Sequence, residues 1–197
     1  YGMCVYSRFP IATLDVRHLV EEEVPSLFLT LHLPAGDAVR CVFLHPRPPR
    51  PDVGQDSTLR DAELVTAARA IADWDGPVVV AGDLNDVAWS DTTRLFQKLS
   101  GLLDPRVGRG LFSTFHAAHA WLRYPLDHVF HSDALALVDL ARLPAVGSDH
   151  FPMCITLAVC PEQEDEQEAP DADADDAETA AEIVGDAAAF KASETPE

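Results

Sequence analysis

The sequence predicts one domain of the α/β or α+β class, a sandwich built largely on β-sheets. Stretches rich in β-branched and aromatic residues alternate with two stretches of helical periodicity. Hydrophobic residues make up 47% of the 197 residues, which is enough for one compact core. No internal repeat is visible. We therefore expect a single domain over residues 1–160, followed by an acidic tail over 161–197.

The first predicted elements are two strands joined as a β-hairpin. Residues 26–33 and 38–45 are rich in β-branched, aromatic and leucine side chains, and Pro-Ala-Gly-Asp at 34–37 is a turn signal between them. The prolines that follow cannot donate hydrogen bonds to a sheet, so the chain leaves the sheet directly after His45. His45 is therefore predicted at the exit of a strand.

A helix, a strand and a second helix are predicted next. Apolar residues recur at helical spacing over 58–74, and residues 77–81 form a short β-rich strand. Ser90 or Asp91 caps the second helix, which ends near Gly101. Further short strands are predicted at four places: 112–115, 126–131, 135–143 and 151–159.

The tail over residues 161–197 is predicted to be disordered. It holds 14 acidic residues and a single base, Lys191, and so carries −13 of the net charge of −19. It has few large apolar side chains, so it cannot bury enough area to offset the entropy of ordering its backbone. The alternative is one short helical face on a partner, formed by Ile183, Val184, Ala187 and Phe190.

The composition excludes a highly basic protein that coats DNA, because phosphate neutralisation needs clustered Lys and Arg and the chain has only two lysines. The longest apolar runs, such as 78–81, are far shorter than the ~20 residues of a membrane helix, which indicates a soluble domain. The four cysteines lack C-x-x-C spacing and are too sparse for a disulfide framework.

Ionisable and polar residues stand together at the ends of the predicted strands. Each could be structural by itself, as a turn residue or a satisfied core histidine. Together they contain what hydrolysis of a phosphate ester needs: oxygen ligands for a hard cation such as Mg²⁺, imidazoles that exchange protons near neutral pH, and an amide donor. The set comprises His45, Asp83, Asn85, Asp127, Asp149 and His150.

Five short motifs in this part of the chain resemble those of the endonuclease/exonuclease/phosphatase superfamily, in the right order. They are Ser-Arg-Phe-Pro-Ile at 7–11, Leu-His-Pro at 44–46, Gly-Asp-Leu-Asn at 82–85, Leu-Asp-His-Val at 126–129 and Gly-Ser-Asp-His-Phe-Pro at 147–152. The similarity covers roughly residues 1–159. It implies a deoxyribonuclease-like fold, a four-layer αββα sandwich of two mixed β-sheets flanked by helices, and cleavage of phosphoester bonds by an activated water.

The resemblance also implies roles for the catalytic residues. His150 is the general base or the group that stabilises the attacked phosphate, and Asp127 holds its ring in one tautomer. Asp83 orients the nucleophilic water or helps to hold a metal. Asn85 donates to a phosphate oxygen, and His45 contacts the scissile phosphate and stabilises or protonates the leaving side.

The metal site that the resemblance implies, for Mg²⁺ or Mn²⁺, is incomplete in this sequence. Asp149 and Asp83 are its candidate ligands here, but in the family a glutamate and an asparagine from strands upstream of the first motif complete it. The acidic run at 21–23 reads as a solvated turn and does not substitute. We therefore expect the C-terminal portion of a longer domain that binds Mg²⁺ poorly alone; the alternative is a non-catalytic binding module with the same fold.

The substrate class is less defined than the chemistry. Arg47 and Arg123 are candidate contacts to a substrate phosphate. The residues before the tail have a negative balance, which permits a short nucleic acid, a phospholipid headgroup or a small phosphodiester. No stable protein partner is implied, and we expect a monomer. The resemblance is closest to bacterial members, some with membrane segments upstream, so it leaves the location open.

Overall fold

The structure, a computed structural model, describes residues 2–50, 56–160 and 167–194. These residues form seven strands and three helices. In chain order they are β1 Ile11–Arg17, β2 Ser26–His32, β3 Ala38–Phe43, α1 Thr58–Ala72, β4 Val78–Asp83, α2 Asp91–Ser100, β5 Asp127–His131, β6 Leu135–Arg142, β7 Met153–Val159 and α3 Ala174–Glu194.

Five strands form one mixed sheet in the order β1-β2-β3-β4-β5. The predicted hairpin is confirmed as the antiparallel pair β2–β3, in register from Leu27 opposite Phe43 to His32 opposite Ala38. β3 and β4 are parallel, so a crossover connects them, and α1 lies in that crossover. β5 runs antiparallel to β4. The ends of β3 and β4 and the start of β5 therefore meet at one edge of the sheet.

The predicted helices are confirmed, and the two ends of α2 follow from local chemistry. The side chain of Ser90 accepts a hydrogen bond from the Thr93 backbone N–H, which caps the start of α2. Gly101 ends α2 in the left-handed conformation at φ 65°, which glycine adopts without steric cost. Both ends of α2 can therefore be explained from the sequence.

The core lies on both faces of the five-stranded sheet. On one face, buried side chains of α1 and α2 such as Leu64 and Phe96 pack against Phe28 and Phe130 of the sheet. On the other face Leu29 and its neighbours contact Val159 of β7, so the second sheet, the antiparallel pair β6–β7, packs there. Full burial of each of these large side chains contributes roughly 1.5–3 kcal/mol.

The α+β class and the two packed sheets with flanking helices agree with the expectation from the sequence. Two details differ. The small sheet is antiparallel rather than mixed. Residues 112–115 form no strand, and only Phe115 is bridged, to Tyr124 and His150.

The prediction of a disordered tail is wrong for residues 174–194, which form α3. Asp173 starts the helix: its carboxylate accepts from the Asp176 N–H, and the Asp176 carboxylate accepts from the Asp173 N–H. Alanine has the highest helix propensity, and its small side chain permits close approach of helices. Ala180 is completely buried against Val65 and Leu95 of α1 and α2. The rest of the predicted tail includes 161–166 and 195–197, which lie outside the described residues.

None of the helices among the described residues combines the length and apolar character that crossing a bilayer requires.

Candidate functional site

The edge of the large sheet where β3 and β4 end brings together residues far apart in the chain. Asp83, the last residue of β4, lies directly opposite Asp127, the first residue of β5. The Leu44 N–H donates to the Ala81 carbonyl, which extends the β3–β4 pairing and places His45 beside the end of β4. His150 joins them through the backbone bridge between Phe115 and His150.

His150 and Asp127 form the tightest polar pair of this cluster. His150 Nδ1 lies 2.6 Å from Asp127 Oδ2. With Nδ1–H donating to that carboxylate, the neutral ring keeps its lone pair on Nε2. Burial by itself lowers the pKa of His150, but the hydrogen bond and charge of Asp127, with the charges of Asp83 and Asp149, outweigh it and raise the pKa above its ordinary value.

Asp83 lies between the two histidines. Its Oδ2 is 3.7 Å from His150 Nε2 and 3.9 Å from His45 Nε2, beyond direct hydrogen bonding in both cases. Burial raises the pKa of Asp83, and nearby Asp127 adds to the rise, while the Asn85 N–H and the two imidazoles oppose it. One carboxylate thus has two partly exposed imidazoles within 4 Å of it.

Asn85 is held in a conformation that few residues adopt readily. Its φ is 51°, in the left-handed region where asparagine is enriched. Its backbone N–H donates to Asp83 Oδ1, and one hydrogen of its side-chain amide donates to the Pro46 carbonyl at 2.8 Å. The Asp83 loop is therefore tied directly to the loop that carries His45.

Gly82 permits the close approach of these two loops. A Cβ atom at this position would lie only 1.8 Å from the Leu44 carbonyl oxygen. No side chain fits there without moving β3 away from β4, because the obstacle is backbone. The glycine of the Gly-Asp-Leu-Asn motif is thus explained by packing at the site itself.

Three of the residues predicted for the site lie at its margin. Asp149 is exposed, next to His150, and its carboxylate contacts the Ser148 hydroxyl at 3.4 Å. Arg47 pairs with Glu21 at 3.1 Å and with Glu23 at 2.7 Å. Two carboxylates of the acidic run at 21–23 therefore pair with Arg47, so this run is not only a solvated turn.

Arg123 is the third marginal residue, and it stacks over the Phe151 ring with its guanidinium 5.2 Å from the ring centroid. Arg142 lies over the same ring at 4.4 Å. Both guanidiniums thus lie over the ring of the residue that follows His150 in the chain. Arg142 was not a candidate from the sequence.

The described residues do not provide a complete metal site. Within 2–50, 56–160 and 167–194, no three His, Cys, Asp or Glu side chains are grouped so that they could hold a metal ion. Asp83 and Asp149 are the candidate ligands, but Asp83 faces the two histidines whereas Asp149 is turned outward to solvent. The expected Mg²⁺ or Mn²⁺ does not fit the donors present here.

Sequence reasoning missed the buried groups that support the Asp83 loop. Arg60 on α1 donates to the Asn85 carbonyl at 2.8 Å and lies 3.3 Å from the Asp86 carboxylate. His128 accepts from Arg106 at Nδ1 and donates from Nε2 to the Asp86 carbonyl. The sequence signal for these groups was Asp86, directly after the Gly-Asp-Leu-Asn motif, because a carboxylate beside a buried strand needs hydrogen-bond donors.

Solved structures share this fold at low sequence identity. An endonuclease/exonuclease/phosphatase from Beutenbergia cavernae is 20% identical with a TM-score of 0.60, and the match covers 78% of this chain and 46% of that chain. The human Nocturnin catalytic domain with bound sulfate anion is 17% identical with a TM-score of 0.56, covering 76% of this chain and 61% of that one. D. rerio TDP2 complexed with single strand DNA product is 14% identical with a TM-score of 0.60, covering 77% and 69%.

This chain therefore spans about half to two thirds of the length of these structures. No curated protein matches it. The sequence model of the Endonuclease/Exonuclease/phosphatase family matches residues 1–150, which includes every strand-end residue of the cluster. The chain belongs to the endonuclease/exonuclease/phosphatase family.

Proposed function

We propose that this chain is part of a hydrolase of phosphoester bonds, acting on phosphodiesters through an activated water. The observation that carries the proposal is that Asp83 Oδ2 faces the Nε2 atoms of both His150 and His45, within 4 Å of each. Such a constellation of one carboxylate between two imidazoles can move a proton on each side of a phosphate.

In this mechanism His150 is the general base. Asp127 fixes the Nδ1–H tautomer, so the Nε2 lone pair is available to accept a proton from water. Asp83 lies across the gap from Nε2 and orients that water towards the phosphorus. The raised pKa of His150 strengthens it as a proton acceptor.

The remaining residues act on the phosphate. Asn85 has a second amide hydrogen, beyond the one given to Pro46, that can donate to a non-bridging oxygen. His45 Nε2 lies 3.9 Å from the same Asp83 oxygen that His150 approaches, and in this proposal it stabilises or protonates the leaving oxygen. Arg123 supplies positive charge at the rim, whereas a phosphate must compete with Glu21 and Glu23 to reach Arg47.

The similarity to proteins solved with sulfate and with a single-strand DNA product supports a phosphate-containing substrate for this chain. Divalent-metal dependence is part of the proposal on family grounds. It requires donors beyond those of the described residues, and we assign no catalytic step to a metal here.

The test is hydrolysis of bis-p-nitrophenyl phosphate by the full-length gene product, with Mg²⁺, Mn²⁺ or EDTA. We expect His150→Ala and Asp83→Ala each to lower kcat by at least ~100-fold, because each removes a proton-handling group. The matched controls are His32→Ala and Asp139→Ala, which change exposed residues outside the cluster. Circular dichroism checks that all four variants fold. Near-native rates in His150→Ala or Asp83→Ala would refute the assignment.

A second candidate function is binding of a phosphate ester without turnover. It is favoured by one observation, the lack of a complete metal-ligand group among the described residues. It predicts that the full-length product hydrolyses none of the substrates under any metal condition, while inorganic phosphate still binds and protects His150 from chemical modification.

A further inference from the structure

A row of aromatic rings leads from His150 to the protein surface. The centroid of the His150 ring lies 5.0 Å from that of Phe115, and Phe115 lies 4.9 Å from His116. His116 is followed by His119 at 4.6 Å and His119 by Trp121 at 5.4 Å. We call Phe115, His116, His119 and Trp121 the ring row.

The loop that carries the ring row is anchored to the site. The Phe115 N–H donates to the Tyr124 carbonyl at 3.0 Å, and the Ala117 N–H donates to the Asp149 carbonyl at 2.7 Å. The His116 ring accepts at Nδ1 from the Ala118 N–H, which limits its rotation. The rings are therefore held beside His150 by backbone hydrogen bonds, so their position relative to the catalytic cluster is defined.

The outer end of the row is open to solvent. Trp121 is 78% exposed, and His119 is exposed beside it. A tryptophan that leaves most of its surface in water gains little for folding, and its large ring stays available for a ligand to cover. Planar ligands fit best, because the consecutive rings present faces and edges at stacking distances.

Positive charge lies over the residue next to His150, which is Phe151. Arg123 and Arg142 both stand over the Phe151 ring, and Arg142 also donates to the Ser113 carbonyl at 2.7 Å. Phosphates near His150 would therefore meet guanidiniums, while the groups attached to them would meet aromatic rings. Proteins that bind single-stranded nucleic acid combine these two features. A lipid surface would instead favour a contiguous apolar patch, which the two imidazoles and Arg123 interrupt.

We propose that the ring row is a stacking subsite for the bases of a single-stranded polynucleotide whose scissile phosphate lies at His150. This inference rests on the proposed function for the cleavage step, but binding at the row can be measured without it. The small extent of the row fits a short footprint of one or a few bases.

The first experiment measures binding through tryptophan fluorescence, with EDTA present to exclude turnover. The 197-residue chain is titrated with a single-stranded oligothymidylate, and we expect saturable quenching. Trp121→Ala should remove most of the quenching and weaken binding about tenfold, since stacking on one base is lost. Trp121→Phe keeps a ring and should retain most of the affinity. Trp74→Ala, a matched control at the opposite end of β4, should bind as the unchanged protein does.

An abasic oligomer of the same length separates stacking from charge. Its binding should be the same for the unchanged chain and for Trp121→Ala, because it has no bases to stack. Equal affinity of the unchanged chain and Trp121→Ala for oligothymidylate overturns the proposal. So does a blue shift of the Trp121 emission with phosphatidylcholine vesicles and none with oligothymidylate, which would assign the row to a membrane.

Hydrolysis assays distinguish failure of this inference from failure of the proposed function. If oligothymidylate binds through Trp121 but neither it nor bis-p-nitrophenyl phosphate is cleaved by the full-length product, the subsite stands and the hydrolase proposal fails. If both are cleaved and Trp121→Ala cleaves oligothymidylate with unchanged kcat/KM, the hydrolase proposal stands and the subsite fails.

Discussion

His128 shows how a buried side chain supports the candidate site from the core. Burial, and then the charge of Arg106, lower its pKa to about 4, so the ring is neutral in the folded protein. Only a neutral ring can accept from Arg106 at Nδ1 and still donate to the Asp86 carbonyl. Protonation would break this link to the loop that carries Asp83 and Asn85.

We therefore predict a loss of folding stability on acidification that is due to His128. Its pKa is about 6.5 when unfolded and about 4 when folded, so the neutral form stabilises the fold above pH 6.5. As the pH falls from 6.5 to about 4, the unfolded state takes up a proton that the folded state resists, and a contribution on the order of 3 kcal/mol disappears.

Urea unfolding across this pH range measures the effect. His128→Gln cannot titrate and should flatten the pH dependence of the free energy of unfolding. His131→Gln is the comparison, because burial also lowers the pKa of His131. A pH profile unchanged by His128→Gln would contradict the prediction.

A substitution at Gly82 tests the close approach of β3 and β4. Gly82→Ala places a methyl group against the Leu44 carbonyl, so β3 and β4 must separate where His45 and Asp83 approach each other. Overpacking of this kind costs about 1–3 kcal/mol, and we expect the melting temperature and the turnover number to fall together.

Gly185→Ala is the matched control, since nothing lies within 4 Å of a Cβ at that helical position. It should leave turnover unchanged and stabilise α3 by about 0.5–1 kcal/mol. Equal melting temperatures for the two alanine variants would show that β3 and β4 do not approach as described.

Much of the site arrangement could be predicted from the sequence, because polar residues that end parallel strands must share an edge. The need of Asp127 for a donor was also predictable, and His150 meets it. The pairing of Arg47 with Glu21 and Glu23 was not, since it depends on where the connection before β2 lies in space. The catalytic roles stay predictions until the variants are assayed.

Among the elements, α3 departs most from expectation. The disorder prediction counted large apolar side chains and neglected that Ala180 and Ala187, seven residues apart, both reach a buried position on the same face. Lys98 of α2 adds an ion pair with both carboxylate oxygens of Asp176. A helix rich in alanine can thus dock where bulky side chains would not fit.

The docking of α3 predicts that the same substitution at two neighbouring alanines has very different effects on the free energy of unfolding. Ala180→Leu inserts three heavy atoms into the contact with Val65 and Leu95 and should lower the free energy of unfolding by about 1–3 kcal/mol. Ala181→Leu makes the same change at an exposed position of the same helix and should have little effect. Thermal unfolding followed by circular dichroism compares the two. Identical transitions would mean that α3 is not packed on α1 and α2.

Two other segments show why local sequence patterns were insufficient to predict every strand. In β1, Ala12, Leu14 and Val16 alternate with polar residues as in a half-buried strand, yet six of its seven residues are exposed, and pairing with β2 holds it in the sheet. Residues 112–115 have the composition of a strand, but the chain turns there, with Phe112 at φ 46°. Long-range pairing decides both cases.

The molecule as a whole is strongly acidic, with a net charge of −19, yet in the part of the chain that the structure describes no three acidic, His or Cys side chains converge to hold a cation. We predict that the 197-residue chain binds Mg²⁺ with a dissociation constant of about 1 mM or weaker, because Mg²⁺ requires a near-octahedral oxygen set. Isothermal titration calorimetry measures this, with Asp83→Asn as the control. Saturable binding well below 1 mM that Asp83→Asn abolishes would contradict the prediction.

The sheet edge that holds His45, Asp83, Asp127 and His150 has a consequence for the order of folding. Helices α1, α2 and α3 form from local contacts, whereas the four polar groups meet only after loops of tens of residues have closed. We therefore expect this cluster to assemble late in folding, after the helices have formed. A partly folded chain would then show the circular dichroism of its helices before these four polar groups lie close together.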